Sequence, residues 1–158
     1  VGSLGTIGIL AEVVLRVLPR PADHWWLVGD TNPLTMRAHL YRPSSILWDG
    51  ERTWVLLEGN PADLAAEARA LGPSFATADG PPPFPSGGRL SVRPSELARA
   101  VAGMAPGTFV AEVGVGVVHV EEHVAVRLPH PSAAELHRRV KRTFDPRGRL
   151  NPGRMVLA

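Results

Sequence analysis

Cysteine is absent from the 158 residues. Disulfide staples, thiolate catalysis and Cys-ligated zinc or iron–sulfur centres are therefore excluded within the chain, and an intracellular protein is the simpler expectation. Lysine is almost absent as well: Lys141 is the only one among seventeen basic residues, and the formal net charge is just +2. So small an excess does not imply nucleic acid, and Arg138, Arg139, Lys141 and Arg142 read as a solvated helix face. No apolar run reaches membrane-spanning length, and the opening lacks the basic n-region and small-residue cleavage pattern of a signal peptide. Hydrolase and nucleoside-triphosphatase readings have no support either, because G-x-S-x-G, H-E-x-x-H and the Walker loop are all missing.

What is present suffices for a packed core, with hydrophobic residues making up 44% of the chain. Residues 1–20 place Gly2, Gly5 and Gly8 before Ile9, Leu10, Val13, Val14, Leu15, Val17 and Leu18, then stop at Pro19 and Pro21. That order predicts a glycine turn feeding a buried strand, the end of a domain whose earlier part lies elsewhere. Shorter alternating units follow. Trp25 to Val28 reads as a strand, Pro33 to Tyr41 as a short helix, and Ser45 to Trp48 with Thr53 to Glu58 as a hairpin across Asp49-Gly50-Glu51-Arg52. A better-marked helix begins at the Asn60 cap and Pro61, keeps Leu64, Ala68 and Leu71 on one face, and stops at Gly72-Pro73.

Residues 73–88 contain Pro81-Pro82-Pro83-Phe84-Pro85 and read as a surface loop or linker. Beyond them, strands are expected near Arg89 to Val92, Thr108 to Val113, Val117 to Val120 and Val124 to Leu128, with a helix at Pro94 to Ala102. The last helix starts with Ser132 and Glu135 at capping-box spacing, is expected to bury Leu136, Val140 and Phe144, and ends at Asp145-Pro146. Helices and hairpins interleaved at these spacings predict an α+β fold, a ferredoxin-like antiparallel sheet with helices on one face.

Two segments stand out chemically, one at each end. Gly2-Ser3-Leu4-Gly5-Thr6-Ile7-Gly8-Ile9 alternates glycines with hydroxyls, a loop that lets backbone N–H groups approach a pyrophosphate. It lacks Rossmann spacing, and no βαβ unit follows it. At the far end, Phe144-Asp145-Pro146-Arg147-Gly148-Arg149-Leu150-Asn151-Pro152-Gly153-Arg154-Met155 packs turn residues directly behind a helix. The first segment resembles the last part of the FAD-binding domain of vanillyl-alcohol-oxidase-type flavoproteins. The second, helix-F-D-P-x-G-x-x-N-P-G-R, resembles the C-terminal signature of their FAD-linked oxidase domain. Ser45 to Leu71 is similar to the corresponding part of the glycolate-oxidase branch of that family.

The resemblance implies residues 1–21 as the remnant of an FAD-binding domain and 22–158 as the cap or substrate domain. FAD is the implied cofactor, with Gly2, Ser3, Gly5, Thr6 and Ile9 along it and Asn151 folding back toward it. The implied reaction is hydride transfer to flavin from glycolate or a similar small 2-hydroxy acid. The partners implied are other flavin and iron–sulfur subunits, and the location is cytoplasmic, with peripheral attachment to the inner face of the plasma membrane through those partners. The alternative is a non-catalytic assembly subunit. The family's first flavin-binding stretch has no counterpart in this chain, so the chain by itself is expected to bind FAD poorly.

Catalytic residues are not named by the resemblance, and no metal is expected. Glu112 and His119 stand where related 2-hydroxy-acid dehydrogenases carry the two histidines of H-x-G-D-G-N-L-H, but Val-Gly-Val replaces Asp-Gly-Asn. Two ligands are too few for a metal site, so the pair is expected on a hairpin facing solvent. Glu121, Glu122 and His123 add no matching spacing. His24, His39, His130 and His137 read as surface residues, and Trp25, Trp26, Trp48 and Trp54 as packing.

Overall fold

The computed structural model describes residues 4–36, 40–124 and 130–154. Chain contacts divide it into two compact units, residues 19–124 and the pairing of 1–18 with 125–158. This grouping by contact in space follows a different criterion from the division at residue 21 expected from chain inheritance.

The larger unit holds β1 (Asp23–Gly29), α1 (Pro33–Met36), β2 (Ser45–Trp48), β3 (Thr53–Gly59), α2 (Pro61–Leu71) and β4 (Phe75–Ala78). It continues through β5 (Gly88–Ser91), a 3-10 turn at Pro94–Glu96, α3 (Leu97–Val101), β6 (Phe109–Glu112) and β7 (Val117–Val120). All pairings are antiparallel, and the sheet order is β4-β1-β3-β2-β6-β7-β5. The first four strands with α1 and α2 form the βαββαβ arrangement expected of a ferredoxin-like unit. The predicted α+β class is the observed one.

The strand period of two sorts the side chains onto two faces. One face carries Leu27, Ile46, Val55, Leu57, Phe109, Ala111, Val118 and Val120, all buried. Met36 of α1, Leu64 of α2, and Leu97 and Val101 of α3 complete that core. Trp25 and Trp48 pack on its margin, and the Trp48 ring meets Phe109 edge-on at 5.7 Å. By register, the opposite face holds Trp26, Val28, Leu47, Trp54, Leu56, Val110, Glu112 and His119.

The local signals behave as chemistry requires at α2. The Asn60 side chain accepts from the Ala62 N–H, Pro61 supplies the first turn, and Gly72 ends the helix at φ +88°. Two elements of this unit differ from expectation, and a third falls mostly outside the described residues. Within 73–88, Phe75–Ala78 forms β4 on the sheet edge, where Gly29 allows close approach: a Cβ there would lie 2.7 Å from the Ser74 carbonyl and 2.9 Å from the Phe75 ring. Of the helix predicted over 33–41, Pro33–Met36 is helical, Leu40 and Tyr41 are not, and 37–39 lie outside the described residues. The strand predicted at Val124 to Leu128 falls mostly on 125–129, also outside them.

The largest correction concerns the opening segment. No strand forms among residues 4–20, and the apolar side chains expected to be buried are exposed, Val14 by 91% and Ile9 by 83%. Every described strand pairing lies within residues 23–120, so this backbone has no ladder to join. Without such pairing an apolar sequence has no reason to hold strand geometry.

The smaller unit contains α4 (Pro131–Phe144). Its cap is His130, whose ring Nδ1 accepts from the Ser132 N–H and meets the Ser132 hydroxyl at 2.7 Å, so the capping-box assignment to Ser132 is corrected. Glu135 instead pairs with Arg138 and Arg142. Leu136 and Phe144, predicted to be buried, are exposed.

Candidate functional site

Helix α4 positions the first cluster through its last turn. Lys141 and Asp145 stand at i and i+4, one above the other, and the Lys141 ammonium donates to Asp145 Oδ2 at 2.5 Å. The same ammonium donates to the Leu150 carbonyl at 2.6 Å and to the Thr6 carbonyl at 2.5 Å, 135 residues away in the chain. Asp145 is buried and accepts the N–H groups of Arg149 and Leu150, so the turn after α4 wraps around its carboxylate. The hydrogen bond from Lys141 holds the Asp145 carboxyl down at about 2, from an ordinary 3.8; burial opposes this, and the two backbone N–H groups reinforce it. A second tie closes the arrangement: Asn151 Nδ2 donates to the Leu4 carbonyl at 2.7 Å.

The two chain segments singled out in the sequence thus meet. Leu4 and Gly5 take successive left-handed conformations, φ +50° and +73°, and Asn151 is itself left-handed at +46°. Gly5 is exposed, and neither Gly5 nor Gly8 has any atom within 4 Å of where a Cβ would stand. A loop with open backbone on that side fits the approach of a pyrophosphate or flavin edge. Thr6 is buried, 3% exposed, on the side of the loop held by Lys141. Ile9 lies in the exposed stretch beyond, and Gly2 and Ser3 lie outside the described residues. Lys141 and Asp145 were missed as site residues. Lys141, read as part of a solvated face, is partly buried with its ammonium fully engaged.

The second cluster belongs to the larger unit. Glu112 ends β6 and His119 lies in β7, diagonal to one another on the face opposite the helices, and Nε2 of His119 meets Glu112 Oε1 at 2.7 Å. Both side chains are partly buried, which corrects the expectation of a solvent-facing hairpin. Phe84, from the proline-rich stretch, sets its ring edge-on against His119 at 4.7 Å. Arg89 of β5 stands directly opposite His119 in the register. Such a contact orients the imidazole ring. Among the described residues, no group of three or more His, Asp or Glu side chains is arranged to hold a metal ion. No helix among them is long and apolar enough to cross a membrane.

Residues 94–155 match the sequence model of the C-terminal domain of FAD linked oxidases. The match runs from the 3-10 turn before α3 through β6, β7 and α4 to the Asn151 turn, and so includes Glu112, His119, Lys141, Asp145 and Asn151 but not Thr6 and its neighbours, Phe84 or Arg89. The likeness is that of this segment, and FAD is the cofactor that such a domain implies. No curated protein and no solved structure matches the chain significantly.

Proposed function

We propose that the chain is part of an FAD-dependent oxidoreductase that oxidises glycolate or a similar small 2-hydroxy acid. The observation that carries this reading is the junction of the Leu4–Thr6 loop with the Asn151 turn inside a chain whose 94–155 segment matches FAD-linked oxidases. Gly5 and Ile9, both exposed, face the cofactor in this reading, Thr6 closes the loop from behind, and Asn151 holds it; Gly2 and Ser3, outside the described residues, are assigned to the cofactor by the resemblance alone. Bound FAD supplies the hydride acceptor. The chain's own part is to hold the loop in the smaller unit and, separately, to orient an imidazole in the larger one. Nε2 of His119, donating to Glu112, leaves Nδ1 as the nitrogen able to take the proton of a substrate hydroxyl.

In this proposal residues 1–21 derive from an FAD-binding domain and 22–158 form the cap. The protein works in the cytoplasm with flavin and iron–sulfur subunits that can bring it to the inner face of the plasma membrane. The test is to express the chain in FAD-replete cells with any natural sequence that precedes Val1, then record flavin absorbance and glycolate-dependent dye reduction. Bound flavin and reduction by glycolate are expected; protein that never takes up flavin would sink the reading.

A second reading, a non-catalytic assembly subunit, is favoured by one observation: Glu112 and His119 satisfy one another. Flavin-loaded protein that is inert toward every 2-hydroxy acid tried, yet co-purifies with its partner subunits, is its expected result.

A further inference from the structure

Lysine occurs once in this chain, although arginine is plentiful, and it occurs where three oxygen acceptors converge. An ammonium carries three donors on a tetrahedral nitrogen and no acceptor, whereas guanidinium donors lie in one plane. The Thr6 carbonyl, the Asp145 carboxylate and the Leu150 carbonyl use those three donors one for one. Asp145 is fixed in turn by the backbone N–H groups of Arg149 and Leu150, so the ammonium sits on a rigid seat. From that seat it grips a loop whose described continuation, residues 8–20, forms no helix or strand. Asn151 grips the same loop two residues earlier, at the Leu4 carbonyl.

We propose that Lys141 is a positioning residue for the cofactor loop: its ammonium, seated on Asp145, fixes the Thr6 carbonyl to the Leu150 turn and so sets the exposed backbone of Gly5 for contact with FAD. This rests on the FAD reading above, but the tripod is a property of the chain alone and can be tested without cofactor. Shape, not charge alone, does the positioning. Arginine keeps the charge and fails the tetrahedral geometry; methionine keeps much of the stem and loses every donor.

The absence of cysteine allows a direct test. Lys141→Met, Lys141→Arg and Lys141→Cys are compared with wild type, and the thiol introduced by Lys141→Cys is aminoethylated to rebuild a lysine-like ammonium at that one position. Two quantities are read: hydrogen-exchange protection of residues 4–7 without cofactor, and FAD affinity by titration of protein that carries any natural sequence preceding Val1. Tryptophan emission serves as the folding control, since all four tryptophans lie within residues 19–124. The expected result is lost protection and affinity weaker by about tenfold or more in all three variants, with aminoethylation restoring both. Met or Arg variants that keep wild-type protection and bind FAD within about twofold of wild type would overturn the proposal. Unprotected variants that regain nothing on aminoethylation would overturn it too. Wild-type protein that carries the natural sequence preceding Val1 and still binds no FAD would remove the oxidoreductase reading, while loss and rescue of protection would still establish the grip on the loop.

Discussion

Asp145 keeps a full negative charge in a nearly closed position because three donors converge on it. The hydrogen bond from Lys141 dominates, the backbone N–H groups of Leu150 and Arg149 add to it, and the carboxyl titrates at about 2 where an ordinary aspartate titrates at 3.8. A depressed acid pKa means the native state holds the ionised form more tightly than the unfolded chain does. Its contribution to stability is therefore complete above about pH 4 and disappears as pH falls through about 2. Asp145→Asn removes the charge at every pH. The difference in thermal midpoint between wild type and Asp145→Asn, followed through the helical circular-dichroism signal, should be large at neutral pH and shrink below about pH 4. A difference of constant size down to pH 2 would show that the carboxylate charge is not what holds this turn.

At the scale of elements, strength of signal tracks how local the cause is. Helix α2 is bounded by a side-chain cap, a proline in its first turn and a left-handed glycine, all within its own sequence. Asn60→Ala leaves the Ala62 N–H without its acceptor and should cost about 1 kcal/mol, a fall of roughly 3 °C in the thermal midpoint. An unchanged midpoint would mean that Leu64 packing alone holds the helix start. Strands β3 and β7, and the end of β1, were legible for a similar reason, since their alternation of buried and half-exposed residues is written in consecutive positions, while β2 and β6 were legible as short apolar runs. Strand β4 was not, because Phe-Ala-Thr-Ala becomes a strand only through the edge that β1 offers across Gly29. The opening stretch failed in the opposite direction: its composition suits a strand, but composition supplies no hydrogen-bonding partner. The start of α4 was misplaced because an imidazole acts there as the cap acceptor, a role usually taken by a hydroxyl, amide or carboxylate. At the candidate site, the approach of Thr6 and Asn151 was legible only through family resemblance. Lys141 was not legible at all, since two of its three acceptors are main-chain oxygens brought to it by the fold.

For the molecule as a whole, the division into two units carries a consequence for folding. Each residue of the hydrophobic core, from Leu27 to Val120, lies in 19–124, as do all seven strands and helices α1 to α3. In the smaller unit the described helix buries no residue, and the ties among its described residues include the hydrogen bonds around Lys141, Asp145 and Asn151. Hydrophobic burial is the main favourable contribution to folding, whereas a hydrogen bond adds about 1 kcal/mol net. The larger unit therefore contains what it needs to fold alone. Residues 19–124 expressed without the rest should keep the tryptophan emission of the full chain and melt in one cooperative transition. Emission shifted to that of exposed indoles, or a melt without a transition, would show that the core depends on residues from 1–18 or 125–158. A cooperative fragment would also locate any loss of FAD affinity caused by Lys141 variants in the smaller unit, because the sheet bearing Glu112 and His119 would then be intact without it.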